Sequence, residues 1–140
     1  MTIFGTETFD RVVLDTSAYA HFRRGHSRLL DVLALAEIIF IPVITLGELE
    51  AGFELGNRQK ENRTALREFL QEPSVVRASI SDSVTRLYGQ VFAQLRRAGT
   101  PIPVNDVWIA ATTLERTAHL LTFDADFHHV EALECTVLEP

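Results

Sequence analysis

A single cysteine, Cys135, stands in 140 residues, so no disulfide can form within the chain. Its apolar neighbours predict a buried strand residue rather than a reactive thiol. No apolar run approaches the roughly 20 residues that a membrane-spanning helix needs. The opening stretch, Met1 to Asp10, lacks the basic-then-apolar order of a secretory signal, and a cytoplasmic location is expected. Lysine is almost missing: twelve of the thirteen basic residues are arginine, and Lys60 is the exception. Nineteen acids outnumber them, and the net charge of -6 argues against binding nucleic acid through bulk positive charge. It leaves open a nuclease whose carboxylates are neutralised by bound cations.

With 46% apolar and 23% charged residues, the chain has the composition of an ordered globular protein. Its length fits a single domain that buries roughly two thirds of the surface its unfolded chain exposes. Val12-Val13-Leu14 reads as a short buried strand running into a helix cap at Asp15-Thr16-Ser17. A helix is predicted from about Ser27 to Glu37, then a strand over Ile38 to Ile41 closed by Pro42. Helices follow from Val43 to about Phe53 and from Asn57 to Gln71, with Val75-Val76 a weaker strand. Ser81 caps a helix whose apolar stripe, Val84, Leu87, Tyr88, Val91, Phe92 and Leu95, is expected to be core until Gly99 stops it. Pro101 and Pro103 forbid its continuation, and Asn105 is expected to cap a last helix to about Arg116. Strands at His119 to Phe123 and Cys135 to Leu138 complete the pattern. No repeat, linker or low-complexity segment is evident. Near-continuous apolar strands separated by helices predict an α/β fold with a parallel sheet covered on both faces.

Four acids stand out in this layout. Asp15 and Asp124 directly follow apolar strands, where open parallel sheets bind ligands. Glu48 lies on a mostly apolar helix, off its stripe, and Asp106 sits in a helix's first turn, where the dipole is expected to help keep it ionised. Four carboxylates in one pocket repel one another, and a hard divalent ion relieves that cost. Such an ion binds phosphate oxygen and lowers the pKa of water, which is the chemistry of phosphodiester hydrolysis. Thr16, Ser17 and Thr122 are short hydroxyl residues beside the acids, suited to orienting them.

The segments Val13-Leu14-Asp15-Thr16-Ser17, Thr45 to Gly52, Asn105 to Ala111 and Leu121 to Phe127 together resemble the PIN-domain ribonucleases, most closely the VapC toxins of bacterial toxin-antitoxin pairs. The resemblance runs from about Arg11 to Leu138. It implies a single PIN-like domain over 1–140, residues 1–10 being an extension outside the family pattern. It further implies about five parallel strands flanked by helices, and Mg²⁺- or Mn²⁺-dependent endonucleolytic cleavage of RNA. A homodimer and a cognate VapB-type antitoxin are implied as well. Asp15, Glu48, Asp106 and Asp124 match the family's catalytic, metal-holding acids, and Asp126 matches a further acid at their edge. An antitoxin is expected to reach such acids with a basic side chain.

The competing readings fit less well. Dehalogenase-like and exonuclease patterns need a second acid where Ser17 stands, and a receiver domain needs a late lysine. A PIN-like domain without catalysis, binding RNA or protein, is the alternative from another class. The histidines, with His128-His129 in a predicted loop, are expected to be structural. Three basic clusters, Arg23-Arg24-His26-Arg28, Arg58-Lys60-Arg63-Arg67 and Arg96-Arg97, bear on phosphate contact only if one of them lies beside the acids.

Overall fold

The computed structural model describes residues 2, 3 and 6–140, with side chains from Thr8 onward. A small antiparallel pair, β1 (Thr2–Ile3) and β2 (Thr6–Glu7), precedes a five-stranded sheet. That sheet comprises β3 (Arg11–Leu14), β4 (Ile38–Pro42), β5 (Val75–Ala78), β6 (His119–Thr122) and β7 (Cys135–Val137), in the order β5-β4-β3-β6-β7. Every pair in it is parallel. The first crossover carries α1 (Thr16–Arg23) and α2 (Ser27–Leu35), and the second α3 (Val43–Leu55) and α4 (Gln59–Leu70). The third carries α5 (Asp82–Ala98) and α6 (Val104–Glu115), and a short 3-10 helix at Ala125–His129 links β6 to β7.

The near-continuous apolar strands are explained by burial on both faces. Val13, Phe40, Ala78 and Leu120 point into one core with Val91 and Leu95 of α5 and Val107, Ile109 and Ala110 of α6. Val12, Leu14, Ile39, Ile41 and Leu121, their alternates, point into the other with Ala18 of α1 and Leu29, Val32 and Leu33 of α2. The predicted α/β sandwich is therefore found. β5 is longer than Val75-Val76 suggests. As an edge strand it buries only Val75 and Ala78, so its middle carries no apolar signal.

Other differences are local. The stripe on α5 is core at Val84, Val91 and Leu95, but Phe92 is 40% exposed and lies beside Arg96 and Tyr88. Gly99 ends α5 in the left-handed conformation, φ 71°, which a side chain would disfavour. Cys135 is half-buried in β7, and burial pushes its thiol pKa up, in keeping with an unreactive sulfur. Among the described residues no helix is long and apolar enough to cross a membrane.

The strand order reverses between β3 and β6: the chain builds outward from β3 through β4 to β5, then returns to add β6 and β7 on the other side. Sheets of this kind open a crevice at that reversal, beyond the carboxyl ends of the strands.

Candidate functional site

The crevice is built from the two strand ends that border it. β3 stops at Leu14, and Asp15 caps α1 with its Oδ1, which accepts the Ala18 N–H at 2.8 Å and the Ser17 hydroxyl at 2.8 Å. Across the crevice, the Thr122 hydroxyl at the end of β6 donates to Asp15 Oδ2 at 2.5 Å. Ser17 Oγ also accepts the Phe123 N–H at 3.1 Å, and Thr122 Oγ1 accepts the Asp124 N–H at 3.0 Å. Two hydroxyls thus lace the start of α1 to the end of β6. Asp124 then caps the 3-10 helix, its Oδ1 accepting the Asp126 N–H at 2.9 Å, while Asp126 itself is exposed.

Glu48 comes from α3. Its Oε1 accepts the Thr16 hydroxyl at 2.6 Å, which ties α3 to the first residue of α1. Its Oε2 is approached by the Asn105 amide at 3.4 Å. The expected cap at Asn105 is therefore corrected: α6 begins at Val104 with Pro103 in the cap position and no side-chain cap bond. The Pro103 carbonyl accepts from the N–H groups of Asp106 and Val107 at 3.0 and 3.1 Å. Proline suits a helix start because its fixed φ costs nothing there. This leaves the Asn105 amide free to steady Glu48, a contact for which nothing in the local sequence gives a signal.

Asp106 is placed in the first turn of α6, and its surroundings differ from those of Asp15. Among the described residues no donor reaches its carboxylate. Burial pushes its pKa up to about 7, with the charges of Asp124, Glu48, Asp15 and Asp126 adding to the rise in that order. A first-turn dipole is worth about 0.3–1 kcal/mol, so the help toward ionisation expected of it is outweighed in the metal-free chain by burial among four other acids. Asp15 is also raised, chiefly by burial, but the bonds from Thr122, Ala18 and Ser17 oppose that rise.

The other three expected acids thus all lie within electrostatic reach of Asp106. Among the described residues, though, no three are drawn tightly enough to enclose an ion as they stand. A spread ring of oxygen donors suits Mg²⁺, which keeps several waters and takes only one or two carboxylates directly. The oxygen-only donor set and the mutual repulsion felt at Asp106 both fit such a cation.

A further support was not expected from sequence. His21, one turn along α1, donates from Nδ1 to the Ser17 carbonyl at 2.9 Å and stacks on Phe123, with ring centroids 3.8 Å apart. His26 meets the same ring edge-on at 5.1 Å. Phe123 lies between Thr122 and Asp124, so these rings brace the strand end that carries both.

Comparison with known proteins agrees with this geometry. The sequence profile of the PIN domain matches residues 12–133. The chain belongs to the PIN-domain family. This PIN domain is 27% identical over 115 residues to ribonuclease VapC5 of Mycobacterium tuberculosis, covering 82% of the chain and 84% of that relative. It is 30% identical over 93 residues to ribonuclease VapC2 of Rickettsia felis, covering 66% and 68%. Among solved structures, VapBC2 of Rickettsia felis bound to a promoter DNA fragment superposes with TM-score 0.81 at 24% identity, covering 89% of this chain and 96% of that one. The VapBC complex of Salmonella typhimurium superposes with TM-score 0.79 at 22% identity, over 90% and 96%.

Thr122 offers a direct measure of the hydroxyl lacing. Thr122→Val keeps its shape in a fully buried position but removes the donor to Asp15 and the acceptor for Asp124. The expected result is a loss of about 1–3 kcal/mol in urea unfolding. Stability equal to that of the unaltered protein would show that the lacing contributes nothing to the fold.

Proposed function

We propose that this PIN domain is a metal-dependent endoribonuclease that serves as the toxin of a toxin-antitoxin pair, acting on RNA in the cytoplasm. The observation that carries the reading is the ring of four carboxylates at the sheet's crevice, with Asp106 raised to about 7 by burial and the other acids. Relatives named ribonuclease VapC, and solved relatives that are VapBC complexes, support it.

On this reading Asp15 and Asp106 hold the Mg²⁺ or Mn²⁺ directly, and Glu48 and Asp124 complete the ring with Asp126 at its edge. When bound, the cation supplies Lewis acidity toward a phosphate oxygen and makes a water acidic enough to attack phosphorus. The chain's own part is orientation. Thr122 and Ser17 fix the Asp15 carboxylate by hydrogen bonds, Thr16 and Asn105 fix Glu48, and the Asp126 N–H fixes Asp124. Asp106, with no donor of its own among the described residues and a pKa raised to about 7, would hold a cation in its deprotonated form, so binding there would be favoured as pH rises. The partner that silences the site is a VapB-type antitoxin presenting a cationic side chain to the ring, and the toxin itself is a homodimer.

Purified protein freed of any antitoxin should cleave cellular RNA when Mg²⁺ or Mn²⁺ is added and stop when a chelator is added. Cleavage that persists at full rate in chelator would overturn the metal requirement. Expression without the antitoxin should arrest growth, and unimpaired growth with soluble protein present would remove the toxin role.

A further inference from the structure

The second feature of the molecule that points to a ligand lies on the side of α1 away from the sheet. A hollow of about 440 Å³ opens there between α1, α3 and α4, and its lining includes Tyr19, Arg23, Arg24, Phe53, Arg58 and Asn62. No acidic side chain lines it, on a chain whose net charge is -6. Two arginine clusters far apart in sequence meet at this place, one from the end of α1 and one from the start of α4.

The arginines differ in what already holds them. Among the described residues Arg23 and Arg24 make no ion pair, and Arg58 meets only Glu61 at 3.2 Å, both side chains being about 70% exposed (71% and 69%). An exposed pair of that kind exchanges easily for another anion. Arg63 on α4 is different, being held by Glu50 and Glu54 at 2.8 Å each. Glu50 and Glu54 of α3 are therefore engaged by Arg63, and Arg23 and Arg24 are left without an ion-pair partner among the described residues.

Tyr19 supplies an independent sign. The residue is 3% exposed, and its hydroxyl is buried with no hydrogen-bond partner in the structure. Buried polar groups are nearly always satisfied, so an orphaned phenol within electrostatic reach of Arg23 marks a place where an acceptor oxygen, of a water or of a ligand, belongs.

Position links the hollow to the acids. Tyr19 and Arg23 follow Asp15 at successive four-residue steps, which puts them roughly 6 and 12 Å along α1. The Thr16 bond to Glu48 joins α1 to α3 at the acid end of the same seam, and Phe53 follows Glu48 along α3. A strand lying in the seam meets the acids first and the arginines next.

We propose that this hollow binds a backbone phosphate of the polynucleotide whose neighbouring phosphodiester lies at the acids, with Arg23, Arg24 and Arg58 gripping the phosphate oxygens and Tyr19 donating its hydroxyl. The proposal rests on the ribonuclease reading above. Guanidinium groups suit the task because their forked donors match two phosphate oxygens at once.

The test combines two measurements on the purified chain: anisotropy of a short fluorescein-labelled oligoribonucleotide in EDTA at several salt concentrations, and KM for the same RNA with Mg²⁺. Arg23→Ala and Arg58→Ala should each weaken binding roughly 10-fold and raise KM similarly. Each should also make the slope of log affinity against log salt shallower by about 0.7, the value for one lost phosphate contact on a single strand. Tyr19→Phe should weaken binding while leaving the melting temperature equal or higher, since it removes an unsatisfied buried hydroxyl. Arg97→Ala, at the far end of α5, should change nothing. Equal weakening by Arg97→Ala, or unchanged KM in the Arg23 and Arg58 variants of a protein that does cleave RNA, overturns the hollow while leaving the ribonuclease reading intact. A protein that neither binds nor cleaves RNA overturns that reading first. Competition by oligoglutamate as strong as by RNA would overturn the phosphate and assign the hollow to an acidic protein segment.

Discussion

Asp106→Asn is expected to reduce RNA cleavage in Mg²⁺ by a factor on the order of 100–1000 or more while making the metal-free protein more stable. The first effect follows if Asp106 holds the ion. The second follows from its surroundings. A carboxyl whose pKa stands at about 7 in the folded chain, against 3.8 ordinarily, binds its proton more tightly when folded. Below pH ~4 both states are protonated and the group has no effect on stability. As pH rises from there the unfolded chain releases its proton first, so stability falls, and above pH ~7 the full penalty is present.

Three pK units would set that penalty near 4 kcal/mol, but a half-buried carboxyl is partly screened, which reduces it to about 1–2 kcal/mol. Asparagine carries no charge and escapes it. The variant should therefore melt a few degrees higher at alkaline pH, by less as the pH falls, and no higher at pH ~4 and below. Mg²⁺ should stabilise the unaltered protein more than the variant, because only the former gains the bound ion. Thermal melts across pH, with and without Mg²⁺, check each part. A variant that melts lower at alkaline pH would show that the acids do not repel one another as the geometry implies.

Asp15→Ala should act in the opposite direction on stability. Its carboxylate caps α1 and accepts two hydroxyls, one from a fully buried threonine. Losing an N-cap costs about 0.5–2 kcal/mol, and stranding a buried hydroxyl costs about 1–3 kcal/mol. Relief of a buried, like-charged carboxylate offsets part of this. Because the pKa of Asp15 is itself raised when folded, its ionised form weighs against the fold as pH rises. The net loss, on the order of 1–3 kcal/mol, should thus be largest in mild acid and smaller at alkaline pH. Urea unfolding at two pH values measures it. A variant as stable as the parent at both would mean that the hydroxyl lacing is replaced without cost. Two acids of one ring, proposed to share one role in cleavage, are thus expected to differ in what their removal does to the fold.

Much of this was legible in the sequence, and for a physical reason. A parallel sheet covered on both faces must be built from uninterrupted apolar strands, so Val12-Val13-Leu14 and Leu120-Leu121 announce themselves. Acids immediately after such strands fall at the carboxyl ends without further information. The misses concern contacts made across long sequence separations. Asn105 follows two prolines and looks like a cap, but its partner is Glu48 on another helix, 57 positions away. The raised pKa of Asp106 follows from its burial and from the acids brought around it by other elements, which the local sequence does not show. His21 and Phe123 look unrelated until α1 packs against the end of β6. β5 was only partly visible because an edge strand hides too little surface to need apolar residues throughout.

The bond between Thr122 and Asp15 spans 107 positions. It can form only after β6 has been synthesised and slotted beside β3, the last-but-one strand completing a crevice begun by the first of the sheet. A chain that extends only as far as α6 contains Asp15, Glu48 and Asp106, but not the strand that orients the first and leads into Asp124. On the proposed reading the ring stays incomplete until β6 takes its place beside β3, so cleavage waits on the joining of two segments 107 positions apart.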